Sequence, residues 1–166
     1  MRAIDKVGCE IKGGICLMEN AASAMTMEIL RRYGNNCHVI AVCGGGNNGG
    51  DGLCAAVQLA DAGCQVQICL TGEVKTADAA VMLARAKEAG IPFTTEIEAA
   101  DVVIDAIIGT GFSGTLREDI TAWVQKINRS GAAVVAADCP TGVSSDDGSY
   151  FEAVRADVTV TFHRPK

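Results

Sequence analysis

Four short apolar runs, HVIAVC at 38–43, QVQICL at 65–70, DVVIDAIIG at 101–109 and AAVVAA at 132–137, are each separated by a segment with apolar residues at helical spacing. This alternation constrains the fold more than any other feature of the chain. Strands that alternate with helices are joined by crossovers, and crossovers make the strands parallel and place helices on the faces of the sheet. The near-continuous apolar character of 101–109, broken by Asp105, is that of a central strand buried on both sides.

The intervening segments complete the pattern. Residues 17–33 predict a helix stopped by Gly34-Asn35-Asn36, and 52–62 a helix closed by Gly63. Residues 76–89 predict an alanine-rich helix stopped by Gly90, followed by a short extended piece at 92–95. A helix over 117–128 and a last strand over 156–162 finish the series. The chain has 166 residues, enough for one domain with its own core. Its residues are 49% hydrophobic and only 4% aromatic, so the interior is filled by Ala, Val, Ile and Leu, as in packed helix-on-sheet layers.

Charge and cysteine usage exclude several functions. The net charge is -6 and the pI about 4.8, with Lys and Arg scattered, so nucleic acid is not an expected partner. No apolar stretch approaches the roughly 18 residues that span a bilayer, and MRAIDKVGCEIKGG has no signal-peptide core. A cytoplasmic protein without membrane association is expected. Eight cysteines include no C-x-x-C pair, and His38 and His163 are the only histidines, which leaves little for a zinc site. Cys43, Cys54, Cys64, Cys69 and Cys139 lie in or beside apolar runs and read as reduced, small core residues.

Three loops at the carboxyl ends of strands carry the chemistry: 44–51, 109–115 and 138–142. The first, GGGNNGGD, contains Gly44-x-Gly46-x-x-Gly49, the bare pattern of a dinucleotide fingerprint. The carboxylate that would close the second strand and hold a ribose is missing there, although Glu73 is near. No Gly-Lys-Ser/Thr follows, so the loop is not a phosphate-binding motif of that type. Glycines that admit a ligand backbone-close, next to a helix N-terminus, suit phosphate oxygens; a plain Asn-Gly turn is the alternative. Asp105 and Asp138 each end an apolar strand beside a glycine loop, where a carboxylate either accepts loop N–H groups or serves a ligand.

Taken together, GGGNNGGDG, DAIIGTGFSG and DCPTGV resemble the signature set of the NAD(P)H-hydrate epimerase family, also called the YjeF N-terminal domain family. The likeness runs from MRAID and LMENAA to DVTVTFHRPK and covers essentially the whole chain. It implies a Rossmann-like three-layer α/β/α sandwich with a mostly parallel sheet. It also implies an isomerase of metabolite repair that interconverts the R and S epimers of NADHX and NADPHX, the C6-hydrated nicotinamide cofactors. Carried over by position, Asn47, Asn48, Gly49, Gly50 and Asp51 would contact that substrate, with Gly109, Thr110, Gly111, Phe112, Ser113, Gly114, Thr115 and Asp138. Asp138 would be the catalytic acid and base. One potassium ion per subunit would be held by Asn48, Asp105 and Thr141, all offering hard oxygen donors. Asp51, entering the helix, is expected to fix the loop by accepting backbone N–H bonds.

Thr141 stands where serine is the commoner residue of the family, a change that keeps the hydroxyl. The family pattern also continues past TFHRPK, so 166 residues read as one such domain shortened at its C-terminus, from a monofunctional epimerase or from a protein with an ADP- or ATP-dependent dehydratase as its second half. Two other functions are open: a non-catalytic nucleotide- or RNA-binding dimerisation module of the same fold, and a dehydrogenase. Glu19 and Asn20 are candidates to support the cleft from the first helix. Met18, Met25, Met27 and Leu30 exceed what one core face needs and suggest a homodimer surface there.

Overall fold

The computed structural model describes residues 13–162. The MRAID opening and the final residues from His163 onward, both part of the sequence resemblance, lie outside the described residues. Helix α1 (Gly13–Tyr33) leads into β1 (His38–Cys43), α2 (Asn47–Asp61), β2 (Gln65–Leu70), α3 (Ala77–Glu88), β3 (Val102–Ala106), α4 (Glu118–Arg129), β4 (Ala133–Ala137) and β5 (Val158–Val160). The strands form one sheet in the order β2-β1-β3-β4-β5, and every pairing is parallel. This is the parallel sheet expected from the alternation and the Rossmann-like α/β/α sandwich implied by the resemblance.

Both faces of the sheet are covered, but unequally. Side chains of Val39, Ala41, Cys43, Val102 and Ile104 point to one face, where α1, α2 and α3 pack through Met25, Leu53 and Met82. Ile40, Val42 and Val103 point to the other face and meet Ile120, Val124 and Ile127 of α4, a 4-3 spacing that puts all three on one helical stripe. Alternation along each strand therefore serves two cores, which is why the strands carry apolar residues at every position. The exposed edge of β2 is closed by the extended piece after α3: Pro92 O accepts from Ile68 N at 3.0 Å, and Thr94 N donates to Ile68 O at 2.9 Å.

The described cysteines follow expectation with one difference. Cys43, Cys54, Cys64 and Cys69 are buried, as is Cys37, whereas Cys139 is half-buried because it follows the end of β4 into the site loop. No helix among the described residues is long and apolar enough to cross a membrane.

Two expectations for helices are corrected. The segment 44–51 is not a loop throughout, because α2 begins at Asn47 and takes Asn47, Asn48, Gly49, Gly50 and Asp51 into its first turns. Glycine's poor helix propensity suggested a loop, but tertiary packing overrides it. In α1, only part of the apolar surplus is surface. Met18 and Met25 are buried against α2 and the sheet, which leaves Met27, 70% exposed, and Leu17, also 70% exposed, outside the core.

Candidate functional site

The strand order reverses between β1 and β3, since the chain moves from β1 outward to β2 and then returns past β1 to β3. Loops leaving the carboxyl ends of β1 and β3 diverge at that point and leave a crevice between them. A cavity of about 1230 Å³ opens there. Its floor is Gly44 to Asn48, one wall is Ile107 to Thr110 with Phe112 and Thr115, and Asp138 closes the β4 side. The three loops singled out in the sequence thus meet at one cleft.

The glycines at the start of α2 are explained by space rather than by unusual backbone angles, for none from Gly44 to Gly52 has a positive φ. A Cβ on Gly44 would lie 2.1 Å from the carbonyl oxygen of Ile107, and one on Gly45 2.1 Å from that of Glu73. A Cβ on Gly49 would lie 1.8 Å from Gly44 O, and one on Gly52 2.4 Å from Cβ of Ala106. Each distance is far inside van der Waals contact. The glycines let the β1 turn touch both neighbouring loops and let α2 descend onto the ends of β1 and β3. Gly46 is the N-cap and has no side chain to offer, so the first N–H groups of α2 are left for another acceptor.

Two carboxylates end β3 and β4, in different settings. Asp105 is 0% exposed and accepts three hydrogen bonds: Thr141 Oγ1 at 2.6 Å, Thr141 N at 2.8 Å and Ile107 N at 3.3 Å. Burial raises its pKa to about 6, against the downward pull of those donors. Thr141 is equally buried, and its hydroxyl accepts from Ile108 N at 3.1 Å while it donates to Asp105. Gly142 allows this turn: its φ is +95°, and a Cβ there would lie 2.2 Å from Glu152 O.

Asp138 instead faces the cavity. Its backbone has φ 67°, a left-handed conformation that costs about 1 kcal/mol or more for a residue with a side chain and that clusters at functional sites. The turn is held because Asp138 N donates to Val160 O at 2.8 Å. The carboxylate accepts from Thr110 Oγ1 at 2.9 Å and Thr110 N at 3.2 Å, so the second loop fixes its direction. Asn48 joins the same strand ends: its amide donates to Ala137 O at 3.2 Å and accepts from Gly109 N at 3.2 Å.

The structure corrects the expectation for Asp51. It sits on the second turn of α2, and its side chain makes no hydrogen bond among the described residues. Its side chain lines the cavity instead, and burial, followed by the negative charge of Asp138, raises its pKa to about 7. Of the other candidates, Asn47, Asn48, Gly109, Thr110, Phe112 and Thr115 line the cleft. Gly49 and Gly50 are buried behind it, and Gly111, Ser113 and Gly114 are exposed beyond its rim. Asn20 reaches the cleft from α1, whereas Glu19 turns away to pair with Arg85 of α3 at 2.6 Å. The sequence reading did not single out Lys75, Arg117 and Phe162 of the lining; no local pattern marks them, because they arrive from three separate segments.

Comparison with known proteins places the chain in a family. Residues 14–166 match the family described as YjeF-related protein N-terminus. The chain belongs to the YjeF-related N-terminal family. Among its relatives, the bifunctional NAD(P)H-hydrate repair enzyme Nnr of Archaeoglobus fulgidus is 44% identical, with 100% of this chain and 36% of that protein covered. The NAD(P)H-hydrate epimerase of Rhodopirellula baltica is 37% identical, with 100% of this chain and 73% of that protein covered. The chain thus spans about a third of the bifunctional relative. The yeast protein ynu0 (YNL200c) shares this YjeF-related fold with a TM-score of 0.79 at 21% identity, over 95% of this chain and 76% of the yeast chain.

Proposed function

We propose that this YjeF-related domain is an NAD(P)H-hydrate epimerase that interconverts the R and S forms of NADHX and NADPHX. The observation that carries the reading is Asp138, pinned by Thr110 and aimed into a large cleft whose floor is an uncapped helix N-terminus. That floor suits a pyrophosphate, and the carboxylate suits a proton transfer at the far end of the same ligand. The names of the relatives from Archaeoglobus and Rhodopirellula support the same substrate.

The reaction needs little beyond orientation and proton transfer. C6 of the substrate bears both a hydroxyl and the ring nitrogen, so its configuration is lost when either the C–O or the C–N bond opens reversibly. In the C–N route Asp138 takes the hydroxyl proton as the bond breaks and returns it after the nitrogen has added to the other face. No electron is gained or lost overall. Asp51, holding its own proton up to about pH 7 in the same cleft, is placed to supply it to the departing nitrogen or oxygen. Asn47, Asn48 and the Gly109 to Thr115 loop bind the cofactor body, and Gly49 and Gly50 shape the floor from behind.

The residues present fit a monovalent cation. Asp105 is a buried carboxylate whose three hydrogen bonds all come from neutral donors, Thr141 and Ile107, with no ion pair to a basic side chain among the described residues. The amide of Asn48 and the hydroxyl of Thr141 lie at the same strand ends and add neutral oxygens. Potassium held by Asn48, Asp105 and Thr141 would supply the missing counter-charge and tie β3 to β4 under the cleft. The relative from Archaeoglobus is called bifunctional and this chain spans 36% of it, which is compatible with a second, dehydratase activity that would consume the S epimer where such a domain is joined to this one.

The test mixes R and S NADHX with a separate S-specific dehydratase and follows disappearance of the R form. Acceleration by this protein is the expected result. Asp138→Asn should keep the fold and ligand binding and lose most of the rate; near-normal turnover would remove Asp138 from the chemistry.

A further inference from the structure

Far from the cleft, at the amino ends of the strands, Sγ of Cys37 lies 3.7 Å from Sγ of Cys64. The two residues are 27 apart in sequence, and each immediately precedes a strand. Their meeting follows from the sheet register. His38 is opposite Gln65 in the parallel β1–β2 pair, and Gln65 N donates to Cys37 O at 3.1 Å, so one step back Cys37 stands opposite Cys64. Neighbouring strands run about 4.8 Å apart, within the range of Cα separations, roughly 4.4–6.8 Å, that a disulfide bridges. Laterally paired residues of a parallel ladder also direct their side chains to the same face.

We propose that Cys37 and Cys64 form a disulfide that staples β1 to β2 in an oxidised form of this protein. The bridge would join the turn that ends α1 at Gly34 to the turn that ends α2 at Gly63, and close a loop containing all of α2. Because it sits at the opposite end of the sheet from the cleft, it acts on stability and leaves the site's geometry alone.

Closure is a thiol–disulfide exchange with a low-molecular-weight disulfide. Cys64, 8% exposed, attacks as its thiolate, expels one small thiolate and forms a mixed disulfide. Cys37, 4% exposed, then loses its proton, attacks Sγ of Cys64 and expels the second small thiolate. Two protein thiols and one small disulfide become one protein disulfide and two small thiols. Burial and the neighbouring Cys64 thiol raise the Cys37 pKa to about 11, so exchange at neutral pH is slow and the bridge, once closed, is a staple rather than a rapid redox relay.

The chain would be incubated with oxidised glutathione in two ways: folded, and during refolding from urea, where access does not limit the reaction. Free thiols are then alkylated. Combined cleavage after Arg32 and Lys75 and before Asp51 and Asp61 separates 33–50 from 61–75. The expected result is a peptide linking these two fragments, absent from Cys37→Ala and Cys64→Ala, with Tm raised by about 5–12 °C over the reduced protein. A link that survives Cys37→Ala would come from Cys43, joined to Cys64 or Cys69, and overturn the proposal. So would refolded protein that carries only glutathione adducts or free thiols at Cys37 and Cys64, or a bridged protein with unchanged Tm.

Discussion

Asp51→Asn should make the protein more stable at alkaline pH, and the size of the gain can be worked from the structure. The Asp51 carboxyl lies in the cleft without a hydrogen-bond partner among the described residues, and burial together with the charge of Asp138 lifts its pKa from 3.8 to about 7. The folded state therefore holds this proton more tightly than the unfolded chain does. Below the unfolded value both states are protonated and the carboxyl costs nothing. As pH rises from about 4 to 7 the unfolded chain releases its proton first, and folding must take one up, so stability falls across that window and the loss is complete above the folded pKa. A rise from 3.8 to about 7 corresponds to at most about 4 kcal/mol. Because the carboxyl still touches solvent, screening reduces this to about 1–2 kcal/mol. Asn has the same shape and no charge, so it is spared the loss. Urea denaturation of both proteins at pH 4 and pH 8.5 measures the effect: the stability of the variant relative to the parent should grow by about 1–2 kcal/mol between the two. A difference that is the same at both pH values would refute the assignment of a buried, proton-holding carboxyl at this position.

Three further outcomes test the framework of the site. Gly49→Ala forces a Cβ to within 1.8 Å of Gly44 O, a backbone atom that cannot swing aside, so thermal unfolding should show a loss of more than about 2 kcal/mol, against the gain Ala normally brings within a helix. Thr141→Val removes the 2.6 Å bond to a fully buried carboxylate and the acceptor for Ile108 N; denaturant titration should register a cost of about 2–3 kcal/mol. Asp105→Ala should abolish any difference in Tm between potassium and sodium buffers, and a difference that persists would place the ion elsewhere.

The expected fold was readable because the signals that specify it are local. Apolar runs of six to nine residues, separated by helical spacing and glycine stops, leave few arrangements other than parallel strands with crossovers. The same locality explains the main error. Gly49 and Gly50 look like loop residues by propensity, and only contacts with Gly44 and with Met18, 32 residues away from Gly50, reveal that they are helical and chosen for their lack of a side chain. Asp105 and Asp138 were visible as strand-end carboxylates, but their sequence contexts are alike. Their division into a buried, fully bonded group and a cleft-facing one depends on Thr141 and Thr110 arriving from other loops.

By itself the sequence determined the layers of the sandwich, the end of the sheet that carries the site, and the three loops that build it, because hydrophobic period and turn chemistry act between near neighbours. Tertiary structure alone decided that Asp51 is a carboxyl without a hydrogen-bond partner among the described residues rather than a cap, that Met18 and Met25 of α1 are core, and that Cys37 meets Cys64. Each of these depends on strand register and helix placement, which bring together residues whose separation along the chain carries no sign of their contact.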